Sequence, residues 1–324
     1  LGKGVWKLKA LRFILLAVAA LVTCLLVFIH FFPAKVLMFA LDAERKQAGL
    51  VRKEIHFGRD LHYVFLEGGQ GEPLMLLHGF GANKDNFTRI ARFLTPHYRV
   101  IIPDHTGFGE SAKPKGASYT PTEQAKRLHE LALALGISKV HLGGNSMGGQ
   151  IALVYAQLYP DSVESLWLLA PGGLWKGPVA DIWKELEKNP QALNPLVLER
   201  EEDVVALVSL VMEKPPFTPK AFLKLIARER MANASIEKQV FTDIQSHDIT
   251  EDIRGLDIPS LIVWGNKDRV LHPGNADLLH ELLPNSRRVL MEGIGHLPMM
   301  EAPEKSAEDY LKFRKTIQSA VPLG

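Results

Sequence analysis

KVHLGGNSMGGQIALVYAQLY, residues 139–159, is the stretch whose reading decides the fold. Its first six residues form a short apolar β-type run, and from Met147 to Tyr159 the pattern is helical. Between them lies Gly144-Asn145-Ser146-Met147-Gly148, a G-x-S-x-G pattern set between a strand and a helix. In that setting the pattern describes a sharp turn that exposes a serine hydroxyl above the end of a sheet, at a helix N-terminus. The glycines are needed because a Cβ at either position would crowd the neighbouring strand or helix. Ser146 is therefore expected at strained backbone angles, with its hydroxyl placed as a nucleophile. The same five letters occur by chance in unrelated chains, and it is the flanking strand and helix that give them meaning.

On either side of this turn, strands and helices alternate. The β-type runs are EIHF (54–57), LHYVFLE (61–67), PLMLLH (73–78), VIIPD (100–104), KVHLGG (139–144), SLWLLA (165–170), SLIVWG (260–265) and RVLME (288–292). The first two are interleaved with polar residues and read as an antiparallel edge. The later ones are nearly continuous apolar runs, as expected where helices cover both faces of a parallel sheet. Helices are predicted over roughly Asn86–Leu94, Pro121–Leu135, Met147–Tyr159, Pro273–Leu283 and Pro303–Ile317, with Pro121 and Pro303 suited to a first helical turn. The order indicates one doubly wound α/β domain. Residues 172–256 depart from it: they lack clear strands and hold helical segments such as VVALVSLVM (204–212), broken by Pro190, Pro195, Pro215, Pro216 and Pro219. This insertion is expected to form a helical cap, dividing the α/β core into residues 51–171 and 257–324.

A serine nucleophile needs a base, and the base needs an orienting acid. In a fold of this kind they follow later strands in the order serine, acid, histidine. Asp268 follows SLIVWGNK and His296 follows RVLMEGIG, both at C-terminal strand ends. His296 is expected to take the Ser146 proton and return it to the leaving alcohol, while Asp268 fixes the ring's tautomer. His272 and Asp104 are the nearest competitors, and Asp104 in PDHTGFGES (103–111) reads better as support for the loop after it. An oxyanion needs two backbone donors. The Met147 N–H is one; the other is the Phe80 N–H in His78-Gly79-Phe80-Gly81, whose glycines let that loop turn without strain.

The N-terminus reads differently. Residues 11–32, LRFILLAVAALVTCLLVFIHFF, carry one charge, Arg12, and are long enough to cross a bilayer as a helix, with Pro33 as a stop. A signal peptide has a shorter apolar region and a small-residue cleavage site that is not seen here, and a buried core helix of this length is rare. Residues 1–50 are thus expected to be a membrane anchor with a juxtamembrane helix near the headgroups, ending at Gly49. Lys3, Lys7, Lys9 and Arg12 precede the span, which favours the N-terminus in the cytosol and the rest across the membrane. Ala19/Thr23 and Ala20/Cys24 form small-xxx-small pairs on which two anchors would pack as a homodimer.

The 324 residues include 38 Lys+Arg and 36 Asp+Glu, a net charge of +2, and 47% are hydrophobic. This excludes a nucleic-acid binder working through a large basic surface, and it supplies ample core. Residues 1–33 hold four basic residues and no acidic one, so the remaining 291 residues carry a net −2. The single cysteine, Cys24, excludes an intramolecular disulfide and a Cys-rich metal site. The His-Glu dipeptides at His129 and His280 lack the second histidine of a zinc-protease helix, and no phosphate-binding loop is present, so neither metal nor cofactor is expected.

HGFGANKDNF (78–87), PDHTGFGES, GNSMGGQIA (144–152), WGNKDRV (264–270) and GIGH (293–296) together resemble the α/β-hydrolase superfamily over residues 54–317. With the anchor, the chain looks most like membrane-anchored monoacylglycerol lipases and bacterial membrane-bound phospholipases A. That resemblance implies a Ser/Asp/His hydrolase cleaving acyl esters of lipids, held in a bacterial inner membrane with its catalytic domain in the periplasm. GNSMGG followed by LLAPGGL (168–174) also resembles meta-cleavage-product hydrolases, which break a C–C bond with the same triad and are the second choice. Ser146 disfavours Asp-nucleophile dehalogenases and epoxide hydrolases. A catalytically dead scaffold and a cofactor-free perhydrolase are the remaining readings, and the intact triad and oxyanion positions argue against the first. Trp183, Leu186, Leu196, Val208, Leu210, Val211, Phe217, Phe222 and Leu225 of the cap are the candidates for an acyl pocket.

Overall fold

The computed structural model describes residues 2–57, 61–189 and 191–320, so Pro190 and the last four residues lie outside the description. The chain opens with two helices, α1 (Gly2–Phe31) and α2 (Pro33–Gln47), and a hairpin of β1 (Leu50–Phe57) and β2 (Leu61–Gly68). Then come β3 (Pro73–Leu77), the short α3 (Thr88–Ala91), β4 (Arg99–Pro103), α4 (Pro121–Ala134), β5 (Val140–Ser146), α5 (Met147–Leu158) and β6 (Val163–Pro171). Four helices follow without a strand: α6 (Asp181–Lys188), α7 (Asp203–Val211), α8 (Lys220–Ala232) and α9 (Ala234–Gln245). The chain returns through β7 (Ser260–Gly265), α10 (Asn275–Leu282), β8 (Ser286–Met291), α11 (Pro298–Glu301) and α12 (Pro303–Ala320).

The eight strands form one sheet in the order β1-β2-β4-β3-β5-β6-β7-β8. β1, β2 and β4 pair antiparallel, and from β4 to β8 every pairing is parallel. Side chains alternate across a strand, and both faces are buried. Met75, Leu77, Leu142, Leu168 and Trp264 point into a core under α4, α5 and α10. Their neighbours Leu74, Leu76, Trp167, Leu169 and Val263 point into a second core under α3 and α12. This double coverage is why the central strands are continuous apolar runs. The outer strands β1 and β8 are largely exposed and present Arg52, Lys53, Arg287 and Arg288, charges that discourage edge-to-edge association.

Several boundaries depart from the sequence reading. β1 begins at Leu50, and the expected helix at Asn86–Leu94 is a 3-10 turn over Lys84–Phe87 followed by the single turn of α3. The reason is local: the Asp85 N–H donates to Asn83 Oδ1 (3.0 Å) and the Lys84 N–H to Asp104 Oδ1 (2.7 Å), bonds that tighten the turn. Pro33 breaks the N-terminal helix rather than ending it. Phe32 leaves helical angles for one residue, and α2 starts afresh with Pro33 in its first turn.

The apolar stretch Lys9–Phe31 has 23 residues, and no residue of its most apolar window is buried against protein. At about 1.5 Å per residue it spans roughly 35 Å, enough for a hydrocarbon core of about 30 Å. The chain thus carries one N-terminal helix that fits a membrane anchor. The end of α2, by contrast, is docked on the core. Buried Arg45 grips Asp85 through Nε and Nη2 (2.8 and 2.7 Å), Thr95 Oγ1 donates to Ala48 O (2.9 Å), and Gly49 turns the chain into β1 at φ +67°.

Candidate active site

Ser146 ends β5 and caps α5 at φ 54° and ψ −118°, one of two non-glycine residues with positive φ among those described. Such an angle costs on the order of 1–3 kcal/mol and persists only where the surroundings impose it. Here they do. A Cβ on Gly148 would lie 2.1 Å from Leu77 O, and one on Gly144 would lie 2.3 Å from Gly148 O. Strand β3, the turn and α5 are thus packed backbone to backbone, which leaves the serine no relaxed alternative. Ala170, the other positive-φ residue (45°), is the penultimate residue of β6, and just beyond that strand the Gly172 N–H donates to Ser146 O (2.9 Å).

Asp268 and His296 meet at the C-terminal ends of β7 and β8. His296 Nδ1 lies 2.7 Å from Asp268 Oδ2, and both residues are buried. A carboxylate only accepts, so the imidazole proton sits on Nδ1 and leaves Nε2 as the basic nitrogen. The carboxylate is fully engaged: Oδ2 also accepts from Trp264 Nε1 (3.0 Å), and Oδ1 accepts from the N–H groups of Val270 (2.8 Å) and Leu271 (2.9 Å). The histidine loop is tied to the elbow by Asn145, whose Nδ2 donates to Leu169 O (2.9 Å) and His296 O (3.0 Å). Among the described residues no hydrogen bond joins Ser146 Oγ to His296. Such bonds are often long before substrate binds. Asn145 and Trp264 were not singled out from the sequence. Asn145 is the free position of the G-x-S-x-G pattern, where only a polar residue at the end of a buried strand hints at a bridging role.

The competing residues do other work. Asp104 accepts from the Lys84 N–H (2.7 Å), Lys84 Nζ (2.8 Å) and the Glu110 N–H (2.8 Å), so it staples the loops after β3 and β4. His272 is exposed on the cavity rim, with Nδ1 accepting from the Gly274 N–H (3.0 Å).

The loop after β3 carries the second expected oxyanion donor. His78 is buried, and desolvation pushes its pKa down to about 4, so the ring is neutral. Its Nε2 accepts from the His105 N–H (3.0 Å), which leaves Nδ1–H to donate to Gly79 O (2.8 Å). Gly79 needs no unusual angle; its constraint is space, since a Cβ there would lie 3.1 Å from Asn145 Oδ1 and 3.3 Å from Ser146 Cβ. Only Gly81 takes a positive φ, +67°. Among the described residues the Phe80 N–H makes no hydrogen bond, and Met147, first in α5, has no carbonyl one turn back to accept its own. Phe80, Ser146 and Met147 line the same cavity.

That cavity has a volume of about 570 Å³ and runs between the sheet's C-terminal edge and the inserted helices. Its walls are mostly apolar, with Leu174, Trp175, Trp183, Leu186, Phe241 and Leu271 among them. Of the apolar cap candidates, Trp183, Leu186 and Leu196 line it. Val208 and Val211 instead pack on the core under α12, and Phe217 and Phe222 face a second cavity beside α2. Helical spacing alone does not distinguish these faces. Glu54, His56 and His62 cluster on the β1–β2 hairpin at the far edge of the sheet. Their potential ligand atoms lie within 4.8 Å of one another, but the group is exposed or half-buried, the two imidazoles stack 4.2 Å apart, and Arg52 already holds Glu54 (3.1 Å).

A mostly parallel sheet with a strained serine between strand and helix, and a histidine–aspartate pair beside it, defines an α/β hydrolase. The alpha/beta hydrolase fold family matches residues 72–303, and the chain belongs to it. Among its relatives, Lipase 1 of Psychrobacter immobilis is 42% identical over 282 residues, covering 85% of this chain and 88% of that protein. Monoacylglycerol lipase ABHD6 of Homo sapiens is 29% identical over 295 residues, 85% of each chain. The crystal structure of a membrane phospholipase A, a novel bacterial virulence factor, superposes with a TM-score of 0.85 at 34% identity, covering 95% of this chain and 99% of that one.

Proposed function

We propose that this protein is a membrane-anchored serine hydrolase that cleaves carboxylic acyl esters of lipids through an acyl-enzyme on Ser146. The observation that carries the reading is the Asp268–His296 hydrogen bond beside a strained serine that opens into a large apolar cavity. Lipase and phospholipase relatives that span most of the chain support it. In this reading the acyl chain of the substrate enters the cavity and its carbonyl carbon rests over Ser146 Oγ. His296 Nε2 takes the hydroxyl proton as Oγ attacks, and Asp268 holds the resulting imidazolium. The N–H groups of Phe80 and Met147 receive the charge on the carbonyl oxygen. The proton passes to the departing alcohol, and water then releases the acid by the same steps. Residues 172–256 act as the cap that supplies the cavity wall, over a core of residues 51–171 and 257–324.

The test is to offer detergent-solubilised protein a panel of phospholipid, lysophospholipid, monoacylglycerol, short p-nitrophenyl esters and a vinylogous diketone. Acyl-ester hydrolysis is the expected outcome. Preference for the diketone over every ester would sink the lipid reading.

The anchor extends the proposal. An enzyme tethered by α1 meets substrates already in the bilayer, and the basic residues ahead of the span favour a cytosolic N-terminus with the catalytic domain in the periplasm of a bacterial inner membrane. The Ala19/Thr23 and Ala20/Cys24 face is slim, because Thr23 Oγ1 donates back to Ala19 O (2.8 Å), and we place a homodimer contact there. A membrane-impermeant lysine crosslinker applied to spheroplasts should give a dimer band. Monomer alone, in spheroplasts and opened membranes alike, removes the dimer, whereas a dimer formed only in opened membranes reverses the topology.

A further inference from the structure

The loop that carries Phe80 belongs to the α/β core, yet much of what holds it comes from the inserted helices. Arg230, on α8, is 9% exposed. Its Nε and Nη2 donate to Glu237 Oε1 (3.1 Å) and Oε2 (2.7 Å), and Nη2 also donates to Leu196 O (2.5 Å). Glu237, on α9, is 3% exposed, so this is a buried, bidentate pair wholly within the insertion. The Arg230 guanidinium also reaches the core loop. The central carbon lies 5.8 Å from the Phe80 ring centroid, within cation–π range. A Cβ on Gly81 would fall 2.2 Å from Nη2 and 2.4 Å from the central carbon. Glycine at 81 is therefore required twice, by its φ of +67° and by the guanidinium lying against its backbone. From α9, Phe241 also packs edge-on against the Phe80 ring, with centroids 5.3 Å apart. Beneath the loop, His78 fixes Gly79 O from the core side.

Phe80 is thus clamped between a core histidine and an insertion arginine, on the backbone segment whose N–H points toward Ser146 in the mechanism above. We infer that Arg230, oriented by Glu237, is a positioning residue that sets the Phe80 peptide, so that docking of the cap completes the oxyanion site. The inference rests on the reading of Phe80 as an oxyanion donor. The requirement is for an arginine. A lysine keeps the charge but loses the planar fork that meets Glu237 through two nitrogens while its central carbon lies over the Phe80 ring.

The contacts predict a defect in the chemical step with little change in ground-state binding. Arg230→Lys, the charge-free pair Arg230→Gln/Glu237→Gln, and Gly81→Ala, which displaces the guanidinium without altering any charge, are assayed on a soluble p-nitrophenyl ester. Rates are normalised to the sites that label with a fluorophosphonate, which corrects for misfolded protein. Losing one oxyanion donor outright costs roughly 10²–10³-fold in kcat, so a displaced one should cost about 10–100-fold, with KM within about twofold. Affinity for a trifluoromethyl ketone analogue of the tetrahedral intermediate should fall in parallel with kcat, and Arg230→Lys should be the mildest variant. Normalised kcat and analogue affinity equal to wild type in the double variant or in Gly81→Ala overturn the inference while leaving the esterase reading intact. So does a loss wholly accounted for by fewer labelled sites. A wild-type chain that neither labels nor turns over ester overturns the esterase reading, and this inference with it.

Discussion

Ser146→Ala is expected to lower kcat/KM for ester hydrolysis by roughly 10⁴–10⁶-fold and to abolish fluorophosphonate labelling, because in the proposed mechanism its Oγ forms the acyl bond. The fold should survive. Alanine meets the same backbone strain at φ 54° that serine does, and the hydroxyl makes no hydrogen bond that its loss would leave unmet among the described residues. Thermal unfolding should therefore move little, which separates loss of chemistry from loss of structure. Steady-state rates together with intact-mass detection of the adduct check this. Wild-type turnover in the alanine variant would mean that the nucleophile lies elsewhere.

Asp268→Asn should cost about 10⁴-fold in kcat, for a reason visible in its contacts. Oδ1 accepts from two backbone N–H groups, those of Val270 and Leu271. An asparagine would keep its carbonyl oxygen there and turn its NH₂ toward His296 and Trp264. The NH₂ donates, so the His296 proton would be driven from Nδ1 to Nε2, and the ring could no longer accept a proton from Ser146. Trp264 Nε1–H would face a donor in place of the acceptor it now meets at 3.0 Å and keep only its bond to Leu271 O (3.2 Å), a loss worth about 1 kcal/mol of stability. The expected signature is thus a large drop in kcat at every pH with a modest fall in melting temperature. A variant with near wild-type kcat would show that the acid does not set the tautomer.

How much of this was legible beforehand varies by residue. The elbow was readable because its signals are local: a strand, two glycines and a helix within about fifteen residues define one turn chemistry. Asp268 and His296 followed from chain order, since each succeeds a strand that must end on the same edge of the sheet. The expected oxyanion loop was legible as a position, but Gly79 and Gly81 proved to be required for different reasons, crowding against Ser146 in one case and a positive φ in the other. Of the insertion's apolar residues, Trp183, Leu186 and Leu196 reach the main cavity while Val208 and Val211 enter the core. Nothing in their spacing could say so, because a helix's apolar stripe records burial and not the partner that buries it.

By itself, then, the sequence determined the class of fold, the candidate nucleophile and its expected partners, and an N-terminal segment with the length and apolarity of a membrane span. These rest on periodicity and on glycine's lack of a Cβ, properties that neighbouring residues carry alone. The tertiary structure decided what joins distant segments. It placed Asn145 between the elbow and the histidine loop, drew Arg45 onto Asp85 so that α2 docks on the core, and laid Arg230 against Gly81. Each of these contacts depends on two backbones approaching within a few ångströms in folded space. No local pattern encodes such an approach, because the free energy that fixes it comes from the packing of the whole sheet and its covering helices.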